Sequence, residues 1–384
     1  MQLLFESLFN GVAIGSVLLM AALGLAIVFG LMGVINLAHG ELIMLGAYTT
    51  YVVQLIFKLP LLAPVYNAYV LVAIPCAFVV SGVIGILLER TVIRRLYGSP
   101  LETLLATWGV SLILQQFVRS VPLAYAAGMV VFLVLGFSLP LLLPKLLKEG
   151  SQSRWVRSAG WAVSALIGVL FAGGLASQIS RIARATSRNV DVTAPKWMRG
   201  GLEWMDLTFP VPRLVIIVMT LIAVVGVIWF LNRSVWGIRI RAVTQNRSMS
   251  DCLGIPTDTV DVLTFGIGSG LAGVAGVAVS LLGSVGPNVG TSYIVGCFMV
   301  VVLGGVGNLL GTVLASFAIG LLTDLIGAGR LLTIWPDMPG PLAGGVEFFA
   351  TTSMAQVMVF ALIVVFLQFR PAGLFPQKGR MVEA

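Results

Sequence analysis

Apolar positions in this chain run unbroken rather than alternating or recurring on one helical face. Charged residues are gathered between uncharged runs at 7–38, 59–88, 120–144, 158–180, 214–232, 262–323 and 348–369. A helix needs about 20 apolar residues to cross a hydrocarbon core about 30 Å thick, and each run is long enough. Their Gly, Pro and polar breaks predict spans near 10–32, 38–57, 66–88, 101–118, 123–144, 159–180, 213–231, 260–282, 293–304, 309–326 and 354–369. The segments 293–304 and 309–326 are short, and Gly304-Gly305-Val306-Gly307-Asn308 parts them. Irregular backbone persists in a membrane only where protein buries it or it lines a cavity. A broken or re-entrant pair and two full spans therefore both fit this stretch. The expected fold is an all-α, polytopic transmembrane helical bundle of about 9 to 11 spans, one domain over 1–384.

Composition agrees. The hydrophobic set makes up 58% of the chain and charged residues only 10%, where soluble domains carry about 25% charged residues. The formal net charge is +8; loop arginines facing anionic lipid account for it, and no nucleic-acid partner is expected. Three cysteines and one histidine cannot build a metal cluster. Cys76 and Cys297 fall in spans and Cys252 in a loop, so no disulfide framework is expected. Met1-Gln2-Leu3-Leu4-Phe5-Glu6 lacks the positive n-region of a cleaved signal peptide, and none is expected.

The loop charges predict an orientation. Arg90, Arg94 and Arg95 lie in 89–102; Lys145, Lys148, Arg154 and Arg157 in 145–157. Arg233, Arg239, Arg241 and Arg247 lie in 233–261, and Arg370, Lys378 and Arg380 in the tail. All four segments are cytosolic if the N-terminus is outside and the C-terminus inside. The stretch 181–213, with Arg181, Arg184, Arg188, Lys196, Arg199 and Arg213, then falls outside, against the rule. Either the hairpin 123–180 does not fully cross, or this is a structured external segment that contacts something.

Many of the 44 glycines sit inside the spans, where small residues let helices pack closely. Gly266, Gly268, Gly270, Gly273 and Gly276 form such a face. Gly268-Ser269-Gly270-Leu271-Ala272-Gly273 spells a dinucleotide fingerprint, but no acid follows about 20 positions later to hold a ribose. Packing is the better reading. Gly33-Val34-Ile35-Asn36-Leu37 echoes Gly305-Val306-Gly307-Asn308-Leu309, each at a break between apolar segments. Transporters carry such paired interruptions near the substrate path, although coincidence between glycine-rich segments also fits.

No Lys follows a Gly, so there is no P-loop, and one histidine cannot serve an acid–base or nucleophilic enzyme. No catalytic residue, metal or cofactor is expected. The most informative stretch is Asn36-Leu37-Ala38-His39-Gly40-Glu41. An ionisable group at membrane depth costs about 2.5–3.5 kcal/mol even on the lenient insertion scale and is by default a functional candidate. The plainer reading is an interfacial turn, with Asn36 capping a helix and Glu41 in its first turn. Trp108, Gln115, Thr264 and Asn308, also in spans, either line a path or hydrogen-bond between helices. In 233–261, Ala242, Val243, Met249 and Leu253 predict one side of a short helix stopped by Gly254 and Pro256. A defined stop exceeds what a basic anchor needs and fits a docking element.

Gly33-Val34-Ile35-Asn36-Leu37-Ala38-His39-Gly40-Glu41 resembles the signature of the branched-chain amino acid type of ABC transporter permeases. So do Arg241-Ala242-Val243 with Leu253-Gly254-Ile255, and Val302-Leu303-Gly304-Gly305-Val306-Gly307. The resemblance spans roughly 8–119 and 188–376. Within the family, Leu45-Gly46-Ala47-Tyr48-Thr49-Thr50-Tyr51-Val52-Val53-Gln54, Thr244-Gln245-Asn246-Arg247 and Gly283-Ser284-Val285-Gly286-Pro287 are most similar to urea permease subunits. The resemblance implies a bacterial cytoplasmic-membrane importer. Its parts are this chain, a second related permease subunit, two cytosolic ATPase subunits that hydrolyse ATP, and an external substrate-binding protein. Asn36, His39, Glu41, Thr49, Trp108, Gln115, Thr264 and Asn308 are the expected substrate path. Arg239, Arg241, Gln245, Asn246, Arg247, Asp251, Leu253 and Gly254 are the expected ATPase-coupling residues. The chain departs from the family at 120–187, an expected inserted hairpin. Urea is small, planar and neutral, and spans so poor in charge lean towards it; branched-chain amino acids or short amides are the alternative. A passive urea channel is a reading from another class, but it has no use for a docking helix.

Overall fold

The computed structural model describes residues 2–58, 63–121, 128–136, 164–169, 189–204, 207–330 and 350–375. Among these, seven helices are long and apolar enough to cross a membrane, and Val289–Gly304 and Met354–Phe369 are shorter apolar helices. The fold is the expected all-α membrane bundle. The only sheet among the described residues is an antiparallel hairpin of β1 (Gly201–Trp204) and β2 (Leu207–Pro210). The expected hairpin at 120–187 lies mostly outside the described residues. Its helical pieces 128–136 and 164–169 touch, since a Cβ on Gly168 would come 2.9 Å from Phe132 Cβ.

The chain forms two compact units: Met1–Ile35, Met198–Thr264 and Tyr293–Ala384 in the first, and Asn36–Trp197 with Phe265–Ser292 in the second. In the first unit, α1 (Gln2–Ile27) ends in a π-helical turn, Val28–Met32. Gly33 closes it at φ +71°, a backbone state glycine reaches without a Cβ penalty, and donates its N–H to Phe29 O at 3.0 Å. Along α1 lies α10 (Leu309–Gly327): a Cβ on Gly11 would meet Leu321 Cα at 2.8 Å, and one on Gly15 would meet Ser316 O at 2.9 Å. Small residues thus bring the two backbones together. α5 (Val211–Arg233) joins α1 where Thr220 Oγ1 donates to Ser16 O at 3.1 Å. At one end of α10, Asp324 accepts from Ser7 Oγ at 2.7 Å and pairs with Arg330 Nε at 3.6 Å.

α9 (Val289–Gly304) turns into α10 through Gly305 and Gly307, at φ +100° and +87°. The turn is tight, because a Cβ on Gly304 would sit 2.5 Å from Gly311 C. Beyond α11 (Thr352–Phe369), the chain returns to brace this turn: Leu374 N–H donates to Leu303 O at 2.8 Å, and Asn308 Nδ2 reaches Phe375 O at 3.5 Å.

The second unit is built around α2 (His39–Phe57), which is buried along most of its length. α3 (Tyr69–Thr91) and the later part of α8 (Thr257–Leu282) pack on it and on each other. A Cβ on Gly46 would overlap Gly273, one on Gly276 would overlap the α2 backbone, and one on Gly270 would meet the Phe78 ring. Gly270 and Gly273 of the fingerprint-like run are therefore packing positions. The segment from Val190 to Trp197 is structured: Val190 bridges Val285, and Thr193 O accepts from Gln54 Nε2 at 2.9 Å and Tyr69 OH at 2.8 Å. Lys196 N–H and Trp197 Nε1 are both held by Asn67. This part of 181–213 is ordered by its own chain; Arg181, Arg184 and Arg188 lie outside the described residues.

Candidate functional site

The second unit holds a buried polar cluster at the start of α2. After the break at Asn36, the chain re-enters helix at His39, which puts Glu41 in the first turn. Glu41 is 1% exposed. Its Oε1 accepts from Gln115 Nε2 at 2.7 Å and Ser111 Oγ at 3.1 Å, both on α4 (Pro100–Ser120). Its Oε2 is buried with no hydrogen-bond partner. Asn36 is also fully buried; its Oδ1 accepts from Ala38 N–H at 3.0 Å, while Nδ2 has no partner. Buried polar groups are nearly always satisfied, so an unused carboxylate oxygen and an unused amide N–H₂ in one short segment call for an explanation.

α4 meets this segment with a polar stripe at four-residue spacing, which places Thr107, Ser111, Gln115 and Arg119 on one helical face. Thr107 Oγ1 accepts from Leu37 N–H at 3.2 Å. Gln115 Nε2 also reaches Thr291 Oγ1 at 3.0 Å, and Arg119 Nη2 donates to Asn288 Oδ1 at 2.6 Å. The stripe thus runs from buried Glu41 through half-buried Gln115 to exposed Arg119 and Asn288. Chemically it is a line of donors and acceptors from the surface of this unit to one buried carboxylate.

Of the expected path residues, the structure brings Asn36, His39, Glu41 and Gln115 to this region; His39 is fully buried. Thr49 is buried too, but its Oγ1 is spent on Leu45 O in its own helix at 2.7 Å. Trp108 is 53% exposed. Thr264 and Asn308 belong to the first unit. Thr264 Oγ1 donates to Val260 O at 2.7 Å, and Asn308 caps α10 by accepting from Gly311 N–H at 3.2 Å. Ser111, Thr291, Arg119 and Asn288 were missed. The four-residue stripe on α4 was a usable signal for Ser111 and Arg119; nothing local marks Thr291 or Asn288.

The expected coupling segment lies in the first unit and is two helices rather than one. α6 (Val235–Gln245) starts at Ser234, whose side chain accepts from Gly237 N–H at 2.9 Å. Asn246 then breaks the helix and caps α7 (Arg247–Cys252), accepting from Met249 N–H at 2.9 Å. Gly254, at φ +76°, makes the expected stop. The single apolar side also fails: Val243 is buried at 8%, whereas Met249 and Leu253 are 58% and 74% exposed. Extended backbone at Asn246, φ −153° and ψ 102°, interrupts the helix between Val243 and Met249. Most of the charged coupling residues are engaged within the chain. Arg247 pairs with Asp261 at 2.7 Å, and Asp251 Oδ1 accepts from Thr257 Oγ1 at 3.3 Å. Arg241 Nη1 donates to Asn232 Oδ1 at 3.0 Å, and the Arg239 guanidinium lies 4.9 Å over the Trp236 ring. Val235, Ile238, Met249 and Leu253 stand exposed among the equally exposed polar residues Arg241, Gln245, Asn246 and Asp251.

Membrane-length helices packed through glycine, around a polar line that leads to a buried carboxylate, are those of a polytopic membrane protein. The chain belongs to the family described as "Branched-chain amino acid transport system / permease component", which it matches over residues 7–119 and 104–367. It is 26% identical over 373 residues to LivH, the permease protein of a high-affinity branched-chain amino acid transport system in Escherichia coli strain K12, covering 96% of this chain and 94% of LivH. It is 25% identical over 370 residues to the corresponding BraD of Pseudomonas aeruginosa, with the same coverage of 96% and 94%. It is also 23% identical to LsrC, the autoinducer 2 import system permease protein of Salmonella choleraesuis, over 71% of this chain and 81% of LsrC. No solved structure matches. The chain is a multi-pass permease component of an ABC transporter.

Proposed function

We propose that this chain is one permease subunit of an ATP-driven importer in the bacterial cytoplasmic membrane, moving urea inward by alternating access. Its partners are a second related permease subunit, two cytosolic ATPase subunits and an external substrate-binding protein. The N-terminus lies outside and the C-terminus inside. The observation that carries the substrate reading is the pair of unused buried groups, Glu41 Oε2 and Asn36 Nδ2. A small solute with both N–H donors and a carbonyl acceptor satisfies such groups, and urea has four of the first and one of the second. The near absence of charge in the spans favours a neutral solute, since burying a second ion is costly. The second reading, a branched-chain amino acid, is favoured by what LivH and BraD are named for; Glu41 would then face an ammonium group.

Coupling to ATP hydrolysis is assigned to α6 and α7, where four large apolar side chains stand exposed in a segment rich in arginine. A cytosolic loop has no lipid to cover them, so a protein groove is the natural cover. The residues expected to bear on the ATPase are thus Met249 and Leu253 more than Arg247 or Asp251, which are tied to α8.

The test is uptake of radiolabelled urea by cells with and without this chain, competed by unlabelled urea or leucine, before and after ATP depletion. Uptake lost on deletion and on depletion, and competed by urea alone, is the expected result. Competition by leucine alone moves the substrate to amino acids, and uptake that survives ATP depletion makes the protein a channel.

A further inference from the structure

The first unit contains a cavity of about 790 Å³ where the π-helical turn, the end of α5, α6 and the start of α10 meet. That volume falls in the range of small-molecule pockets. Its polar lining is Arg241, Asn232, Thr244, Gln245 and Asn308. The rest is apolar, with Ile228, Leu231 and Leu310 among the lining residues, and Leu310 is 68% exposed.

Arg241 differs from Arg247 and Arg330 of this unit in meeting an amide rather than an acid, as Arg213 does on Asn10. Arg247 has Asp261 at 2.7 Å, and Arg330 has Asp324 at 3.6 Å and Glu6 at 3.3 Å. Arg241 has only the neutral amide of Asn232, and no lining residue of the cavity is acidic. The hydrogen bond to Asn232 uses one Nη of a fork that carries five N–H donors in the geometry of a phosphate or carboxylate. The cavity therefore offers an exposed guanidinium with no acidic partner, amide and hydroxyl groups, and apolar side chains in one lining. A free anion would use only the polar lining. An amphiphile with a phosphate head and a hydrocarbon body fits both. Basic pockets among transmembrane helices on the cytoplasmic side hold anionic headgroups by this logic.

We propose that this cavity is a binding site for a phosphate-bearing anion, with its phosphate on Arg241 and Gln245, and that the occupant is an anionic phospholipid whose acyl region lies along Ile228 and Leu310. The site is independent of the substrate reading above and shares only Arg241 and Gln245 with the coupling segment.

The test is native mass spectrometry of the full chain, purified with the subunits it assembles with, after addition of phosphatidylglycerol, phosphatidylcholine or sodium phosphate. Phosphatidylglycerol should be retained in preference to phosphatidylcholine. Arg241→Gln should weaken that retention about tenfold or more, as loss of one charge-assisted contact does. Ile228→Trp, which fills the apolar wall and keeps the charge, should weaken it as well. Arg239→Gln should leave it unchanged, because that guanidinium is stacked on Trp236. Size-exclusion profiles show which variants assemble. Displacement of the lipid by inorganic phosphate through Arg241, with Ile228→Trp neutral, supports the anion site and assigns it to soluble phosphate. Equal retention of both lipids, or retention by an assembled Arg241→Gln equal to that of the unmodified chain, overturns the proposal. Urea uptake does not enter the readout, so failure here and failure of the importer reading are separate results.

Discussion

Glu41→Gln is the sharpest probe of the polar cluster, because it keeps size and shape while reversing one hydrogen-bonding group. The amide oxygen can still accept from Gln115 and Ser111, now 2.7 and 3.1 Å from Oε1. The oxygen Oε2, which has no partner in the protein, becomes an N–H₂. A solute N–H that bonded to it then meets a donor. A hydrogen bond to a charged acceptor contributes about 1.5–3 kcal/mol, and about 1.4 kcal/mol is a factor of ten. The KM for urea uptake should therefore rise about 10- to 100-fold. Assembly should stay normal, because the bonds to α4 survive. Ser111→Ala removes only the longer of the two bonds, from a neutral hydroxyl, and should cost about tenfold or less. The assay is ATP-driven uptake into proteoliposomes of the assembled importer, with protein content fixed by quantitative blotting. A Glu41→Gln importer whose KM lies within twofold of the unmodified one would refute the reasoning and return Glu41 to a helix-start role.

Arg247→Ala strands Asp261, whose side chain is 6% exposed, and should destabilise the protein by about 2–3 kcal/mol in a thermal-shift measurement, with Arg247→Lys recovering part of the loss. Leu253→Asp should abolish ATP-driven uptake while leaving helix packing intact, since the side chain is 74% exposed; normal uptake would remove α7 from the coupling role. Gly273→Val places a branched side chain 2.6 Å from Ser81 Oγ and against the Ala77 carbonyl, and should cost about 3 kcal/mol or more, read as loss of a monodisperse peak in detergent. Reporter fusions at Ser151 and after Gly200 should report opposite compartments, Ser151 inside; the same compartment at both would sink the orientation.

Most of the bundle was legible because membrane solvation leaves few choices: an uncharged run of sufficient length must be a helix. The breaks were legible for a related reason. Gly33 and Gly305 both take positive φ, but the Asn three residues after each accepts differently, Asn36 from Ala38 N–H and Asn308 from Gly311 N–H, so the echo between the two stretches extends to the glycine and not to the cap. Glu41 stood out because an acid in a span is expensive. Its partners were harder to read. Ser111 lies 70 positions away and is an ordinary span residue until a carboxylate is placed beside it. The Asn246 break was written locally, as a capping residue three positions before Met249, but a basic segment draws attention to its charges rather than its caps. Pairing within the chain, such as Arg247 with Asp261, depends on how α7 folds back on α8, and charge counting along a loop carries no such information.

The strut from the tail has a consequence for how the molecule is made. The turn at Gly305–Asn308 takes a hydrogen bond at Leu303 O from Leu374 N–H, a residue synthesised only after α10 and α11. Until that stretch leaves the ribosome, the turn between α9 and α10 lacks this support, and Gly305, against which Phe375 O packs, has an open side. Completion of the first unit thus waits for the stretch that follows α11. A chain stopped just after α11 would carry every described span and still lack the brace that closes its tightest turn.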